Sequence, residues 1–127
     1  MIRNEKGQAT VELAFALIIL VLFLFAIVDF GRIFHSYLSL EHAGREAARI
    51  ASLGASDSEV VASVISSSPS LNHRDMTISI SPSRQNRTRG TYVTVDLSYP
   101  VSFSVPILQN IARDSLTLDS KTVMRVE

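Results

Sequence analysis

Leu13-Ala14-Phe15-Ala16-Leu17-Ile18-Ile19-Leu20-Val21-Leu22-Phe23-Leu24-Phe25-Ala26-Ile27-Val28 is sixteen consecutive apolar residues, with Glu12 set directly against its N-terminal edge. Extending the run to residues 9–31 gives 23 residues in which only Glu12 and Asp29 are charged. At about 1.5 Å of rise per residue, a helix of that length crosses a hydrocarbon core of roughly 30 Å. Lipid should reject the Glu12 carboxylate, so the span carries an anomaly at its start. A cleavable secretory signal fits less well. The run exceeds the usual apolar region of about 7–15 residues and no A-x-A-like site follows it. Upstream, Arg3, Lys6 and the initial amine are opposed by Glu5 alone, which by the positive-inside tendency puts the N-terminus in the cytoplasm and the rest outside.

The helical pattern continues past the span. Residues 28–53 contain no proline, and Ile33, Tyr37, Leu40, Gly44, Ala47, Ala48 and Ala51 recur at helical spacing, with Arg32, His35, Glu41, Arg45, Glu46 and Arg49 mostly on the other face. One helix from about Gln8 to Ser52 is expected, stopped by Gly54. Its small residues call for a close neighbour, either the protein's own sheet or another chain. Ser56-Asp57 followed by Glu59, Val60, Val61, Val64 and Ile65 reads as a capped short helix ending before Pro69.

The period then changes to two. Met76, Ile78 and Ile80 alternate with polar residues, as do residues 92–99, Leu116 and Leu118, and residues 123–126. A short connection, helical in pattern, is expected at residues 107–113, approached through Pro100 and Pro106. The fold class is α+β: a long N-terminal helix packed on a small three-stranded antiparallel sheet. The division expected is a leader at 1–7, a transmembrane helix at 8–31, its extramembrane continuation at 32–53 and a small head at 54–127.

Composition narrows the function. The 127 residues carry 12 Lys+Arg and 12 Asp+Glu, with no drive toward nucleic acid. The absence of cysteine excludes thiol catalysis, disulfides and Cys-based zinc sites. His35, His42 and His73 are scattered without acid partners, so no metal site is expected. Serine is plentiful, yet no G-x-S-x-G or nucleophile–base spacing occurs, and neither an enzyme, a cofactor nor a small-molecule substrate is expected. Arg84-Gln85-Asn86-Arg87-Thr88-Arg89-Gly90 forms a basic loop. Arg84, Arg87 and Arg89 are its candidate surface contacts, for an anionic glycan, lipid headgroups or an acidic partner, beside the plainer reading of a solvated hairpin.

A cut between Gly7 and Gln8 would free an amine at Gln8, one helical turn from Glu12 at i,i+4 spacing, where it would neutralise the acid. A neighbouring chain's amine would serve equally and would set the register of an assembly. That logic is similar to type IV pilin-like subunits. The resemblance sharpens over Gly7-Gln8-Ala9-Thr10-Val11-Glu12-Leu13-Ala14-Phe15-Ala16-Leu17, Asp29-Phe30-Gly31-Arg32 and Ala43-Gly44-Arg45-Glu46-Ala47-Ala48-Arg49, and continues at Ser98-Tyr99-Pro100 and the tail Val123-Met124-Arg125-Val126-Glu127. With these the chain resembles the TadE-like family, small pilin-like components of tight-adherence (Tad, Flp) pilus and secretion systems. The resemblance implies a minor pilin or pseudopilin in the inner membrane, processed by a prepilin peptidase at Gly7-Gln8 and assembling through Glu12 with other pilin-like subunits and the Tad machinery. The chain departs from many relatives in having no proline near Leu20, so a straighter helix is expected. Leu13 stands where the major Flp pilin has Tyr, which with the sizeable head favours an accessory subunit. The alternative is a permanently anchored extracytoplasmic ligand-binding module.

Overall fold

The computed structural model describes residues 5–103, 110 and 116–127. The connection expected at residues 107–113 falls almost entirely outside the described residues, as do the first four residues of the leader. The expected α+β architecture is present: α1 (Glu5–Ser52), α2 (Asp57–Ser67), then β1 (Thr77–Ser81), β2 (Tyr92–Val101) and β3 (Leu116–Arg125).

Helix α1 is 48 residues, close to 70 Å long. It begins at Glu5, three residues before the expected start. Nothing between Glu5 and Gly7 breaks a helix outright, since one glycine costs only about 1 kcal/mol against alanine, and the Thr10 hydroxyl donates to the Lys6 carbonyl at 2.8 Å. Its outer half is laced by Glu41–Arg45 (3.7 Å) and Glu46–Arg49 (2.6 Å). The Arg49 hydrogen bond holds the Glu46 carboxyl below its ordinary value, and the same bond holds the Arg49 guanidinium above its own. The helix stops at Gly54, whose φ of +94° suits a residue without Cβ. The Ala55 amide donates to the Ile50 carbonyl at 3.1 Å and the Gly54 amide to the Ala51 carbonyl at 3.2 Å, a Schellman closure. Helix α2 starts on a capping box. Ser56 Oγ accepts from the Glu59 amide at 3.3 Å while the Ser56 amide donates to Glu59 Oε2 at 2.8 Å.

The three strands form one antiparallel sheet in the order β1-β2-β3. Val95 of β2 pairs with Ile80 on one side and Thr122 on the other. Val93, Val95 and Leu97 point inward from β2, against Leu40, Ala43, Ala47, Ala48 and Ala51 of α1 and Val60 and Val64 of α2, all buried. The small-residue stripe of α1 thus carries the protein's own sheet. Gly44 is the closest approach: a Cβ there would lie 2.9 Å from Ser120 Oγ and 3.1 Å from Thr122 Oγ1.

Two details of the strands differ from the sequence expectation. Strand β2 runs through Pro100 to Val101, whereas alternation was read only to Tyr99. Pairing with β1 already ends at Ser98, so no ladder partner on that side requires the missing proline N–H. Strand β3 is one continuous element whose inward face is Leu118, Ser120, Thr122 and Met124, with Val126 buried just past its end. Its apolar alternation is interrupted in the middle because Ser120 and Thr122 are the residues that meet Gly44, and Val123 is turned outward, 51% exposed.

Candidate functional site

The apolar run in the lower half of α1 is exposed along its length. An 18-residue segment of it has mean hydropathy 3.1 and is wholly unburied. Side chains such as Phe15, Phe23 and Ile27 are 64–66% exposed. Water would not tolerate this surface, at roughly 25 cal/mol per Å² of exposed apolar area, so the helix requires lipid or other helices around it. Gly7, Gln8 and Glu12 all lie on the first turns of this helix, with Gln8 and Glu12 one turn apart. Glu12 is exposed between Val11 and Leu13, which are 56% and 59% exposed.

Asp29 behaves differently from its neighbours. Val28 and Phe30 are each 66% exposed, but Asp29 is 2% exposed. Arg32 pairs with it at 3.4 Å and donates from the same Nη2 to the Ser102 carbonyl at 2.7 Å. The end of β2 is thereby tied to α1, and the Asp29–Arg32 level marks the underside of the head. This tether joins residues seventy positions apart, and no sequence pattern signals it. From Asp29 down to Glu12 is seventeen residues, or about 25 Å along the axis. A hydrocarbon core is roughly 30 Å thick. Were the underside of the head to rest on a membrane surface, Glu12 would fall inside such a slab near its far edge.

Above the span, Phe30, Phe34 and Leu38 continue an apolar stripe at i, i+4 and i+8, at 66%, 62% and 50% exposure. All three are exposed, although Leu40 and Gly44 further along the same helix are buried. The unpartnered surface therefore extends at least two turns beyond Gly31.

The three arginines of the basic loop do not act together. Arg84 opens a short 3-10 turn, Arg84–Asn86, and is exposed, as is Arg89. Arg87 is turned inward, its side chain 3% exposed, with Nη2 donating to Asp57 Oδ1 at the start of α2. Its Nε and Nη1 are buried without a hydrogen-bond partner among the described residues. Arg89 instead lines a shallow cleft of about 480 Å³ with Arg125, a residue the sequence did not single out. Of the histidines, His35 and His42 are exposed. His73 is partly buried, its Nε2 lying 2.9 Å from the Ser68 carbonyl at the end of α2.

Residues 7–49 match the model of the family described as TadE-like protein, so this segment is similar to that family. The match covers Gly7-Gln8, the apolar run, the Phe30-Gly31 element and the helix up to Arg49. No curated protein and no solved structure was found to match the chain.

Proposed function

We infer that this TadE-like chain is a minor pilin or pseudopilin-like assembly component of a Tad-type pilus or secretion system, supporting pilus biogenesis and surface adherence. The observation that carries the reading is the position of Glu12, about 25 Å along the helix from the buried Asp29, at the start of an apolar run that is uncovered. An ionised carboxylate costs about 2.5–3.5 kcal/mol at the centre of a spanning helix, less toward its ends, and needs a cation beside it. The amine freed by cutting between Gly7 and Gln8 supplies one, in the same chain or in a neighbour. The stripe of Phe30, Phe34 and Leu38 lets the same helix face a neighbouring subunit above the membrane as well as within it. In this reading the N-terminus is cytoplasmic, the head is extracytoplasmic, and the chemistry is charge matching and helix packing.

Glu12→Ala tests the reading. Membrane insertion should be retained while co-purification with Tad machinery falls; equal recovery of those components from variant and parent would remove Glu12 from the mechanism. Processing is tested separately. The intact mass of the protein from cells with and without the prepilin peptidase should differ by the leader, and an unchanged terminus in both rejects cleavage. A second reading, a permanently anchored module that captures an anionic ligand, draws its support from Arg89 and Arg125 sharing one cleft. Loss of ligand binding by an Arg89→Gln, Arg125→Gln chain, with assembly untouched, would favour it.

A further inference from the structure

At the underside of the head lies a cavity of about 290 Å³ whose walls include Arg32 and Ser36 of α1, Asn72 and Asp75 from the turn after α2, and Tyr99 of β2. Arg32 directly follows the span, and from Arg32 to Ser36 the helix rises about 6 Å. The headgroup layer on each side of a bilayer is of similar depth, about 5–7 Å. Resting on the reading of α1 as a membrane span, the cavity therefore opens at the level of the lipid headgroups.

Its walls carry one charge of each sign. Arg32 spends Nη2 on Asp29 and the Ser102 carbonyl, leaving Nε and Nη1 without partners among the described residues on a side chain that is 55% exposed. Asp75 accepts from Asn72 Nδ2 at 3.2 Å through Oδ2, leaving Oδ1 open. The Tyr99 hydroxyl accepts the Asn72 amide at 3.2 Å and keeps its own proton to donate. A guanidinium with spare donors takes a phosphate, and a carboxylate with a spare oxygen takes a primary ammonium through charge-assisted hydrogen bonds. We propose that this cavity binds a phosphate ester bearing a primary amine, the phosphate at Arg32 and the ammonium at Asp75, as in an ethanolamine phospholipid headgroup. The volume lies at the lower end of ligand clefts, about 300–1,000 Å³, and holds a headgroup with no room for acyl chains. Those would run down the exposed α1 surface past Val28 and Phe25, one and two turns below Arg32. A quaternary choline has no N–H to give Asp75 and is the discriminating competitor.

The full chain is placed in nanodiscs containing equal phosphatidylethanolamine and phosphatidylcholine, and the lipid retained on stepwise delipidation is identified by native mass spectrometry. Retained ethanolamine lipid should exceed choline lipid about tenfold, the scale of a charge-assisted hydrogen bond. Asp75→Asn should bring the ratio close to one, while the chain still inserts. Arg32→Gln should reduce retention of both lipids, and Arg32→Lys should restore part of it. In a second arm, the detergent-solubilised chain is titrated with soluble glycerophosphoethanolamine. Saturable binding there that Asp75→Asn abolishes, with no lipid preference in nanodiscs, assigns the same chemistry to a free ester. Equal retention of the two lipids by an inserted parent chain, with no binding of the soluble ester, overturns the proposal. Failure of the chain to insert overturns instead the spanning reading beneath it.

Discussion

Gly44 is the point at which the close packing of helix on sheet is most exposed to test. Two opposing effects decide the outcome of Gly44→Ala. Replacing glycine inside a helix with alanine gains about 0.8–1 kcal/mol of helix propensity. Against that, the new Cβ would sit 2.9 Å from Ser120 Oγ and 3.1 Å from Thr122 Oγ1, closer than real Cβ atoms tolerate in the first case. Overpacking of this kind costs about 1–3 kcal/mol, so the net change is a destabilisation of about 0–2 kcal/mol. Ser120→Ala removes the obstructing atom and also a buried hydroxyl that has no hydrogen-bond partner. By itself it should be neutral or stabilising, since an unsatisfied buried group carries a penalty of about 1–3 kcal/mol. In that background Gly44→Ala should turn stabilising, approaching the full propensity gain. The assay is thermal unfolding of the full chain in detergent, followed by circular dichroism across the four-member cycle, where 1 kcal/mol shifts Tm by about 4–8 °C for a head of this size. The predicted coupling is about 1–2 kcal/mol, inside the range measured for residues in contact. Additivity of the two substitutions within about 0.5 kcal/mol would refute the close approach.

Three further outcomes follow from the head. Leu97→Ala, at a side chain only 1% exposed against Gly44, should cost about 2–5 kcal/mol and be read as a large fall in Tm without loss of membrane insertion. Arg87→Met should be neutral or stabilising in urea denaturation, because the apolar replacement removes two buried N–H groups that have no partner, while Asp57 is half exposed and stays hydrated; a fall of several kcal/mol would show that Arg87 has an anionic partner that matters. Glu46 has a folded pKa lowered from 4.5 by its Arg49 hydrogen bond. Its contribution is therefore present above pH 4.5 and is lost as pH falls through the lowered folded value. Glu46→Gln should flatten the helix signal's pH dependence in that acid window and leave it unchanged at neutral pH, and an equal acid loss in parent and variant would contradict this.

What the sequence made legible is what local chemistry decides. The run at residues 13–28, the stop at Gly54, the Ser56–Glu59 cap and the alternation through Val93, Val95 and Leu97 each depend on neighbours in the chain, and each element formed where its pattern placed it. The misreadings concern residues whose roles are set by partners far away. Asp29 is buried beside Arg32, whose Nη2 reaches the Ser102 carbonyl at the end of β2, a contact seventy residues distant in sequence. Arg87 turns inward to Asp57, thirty residues upstream, and nothing in the spacing of three arginines distinguishes it from Arg84 or Arg89. Ser120 and Thr122 break the apolar alternation of β3, and their inward orientation makes sense only once Gly44 is seen opposite. For the candidate site itself, Gly7, Gln8 and Glu12 stand out in the sequence because an acid against an apolar run is a local contradiction. The depth proposed for Glu12 follows from the position of the head.

The most direct measurement places a photo-crosslinking residue at Val11, beside Glu12, in the full chain expressed together with the Tad machinery, and identifies what it captures. A second pilin-like subunit or another component of the machinery in the adduct, lost on Glu12→Ala, is the predicted result. Capture of lipid alone, unchanged by Glu12→Ala, would contradict the account.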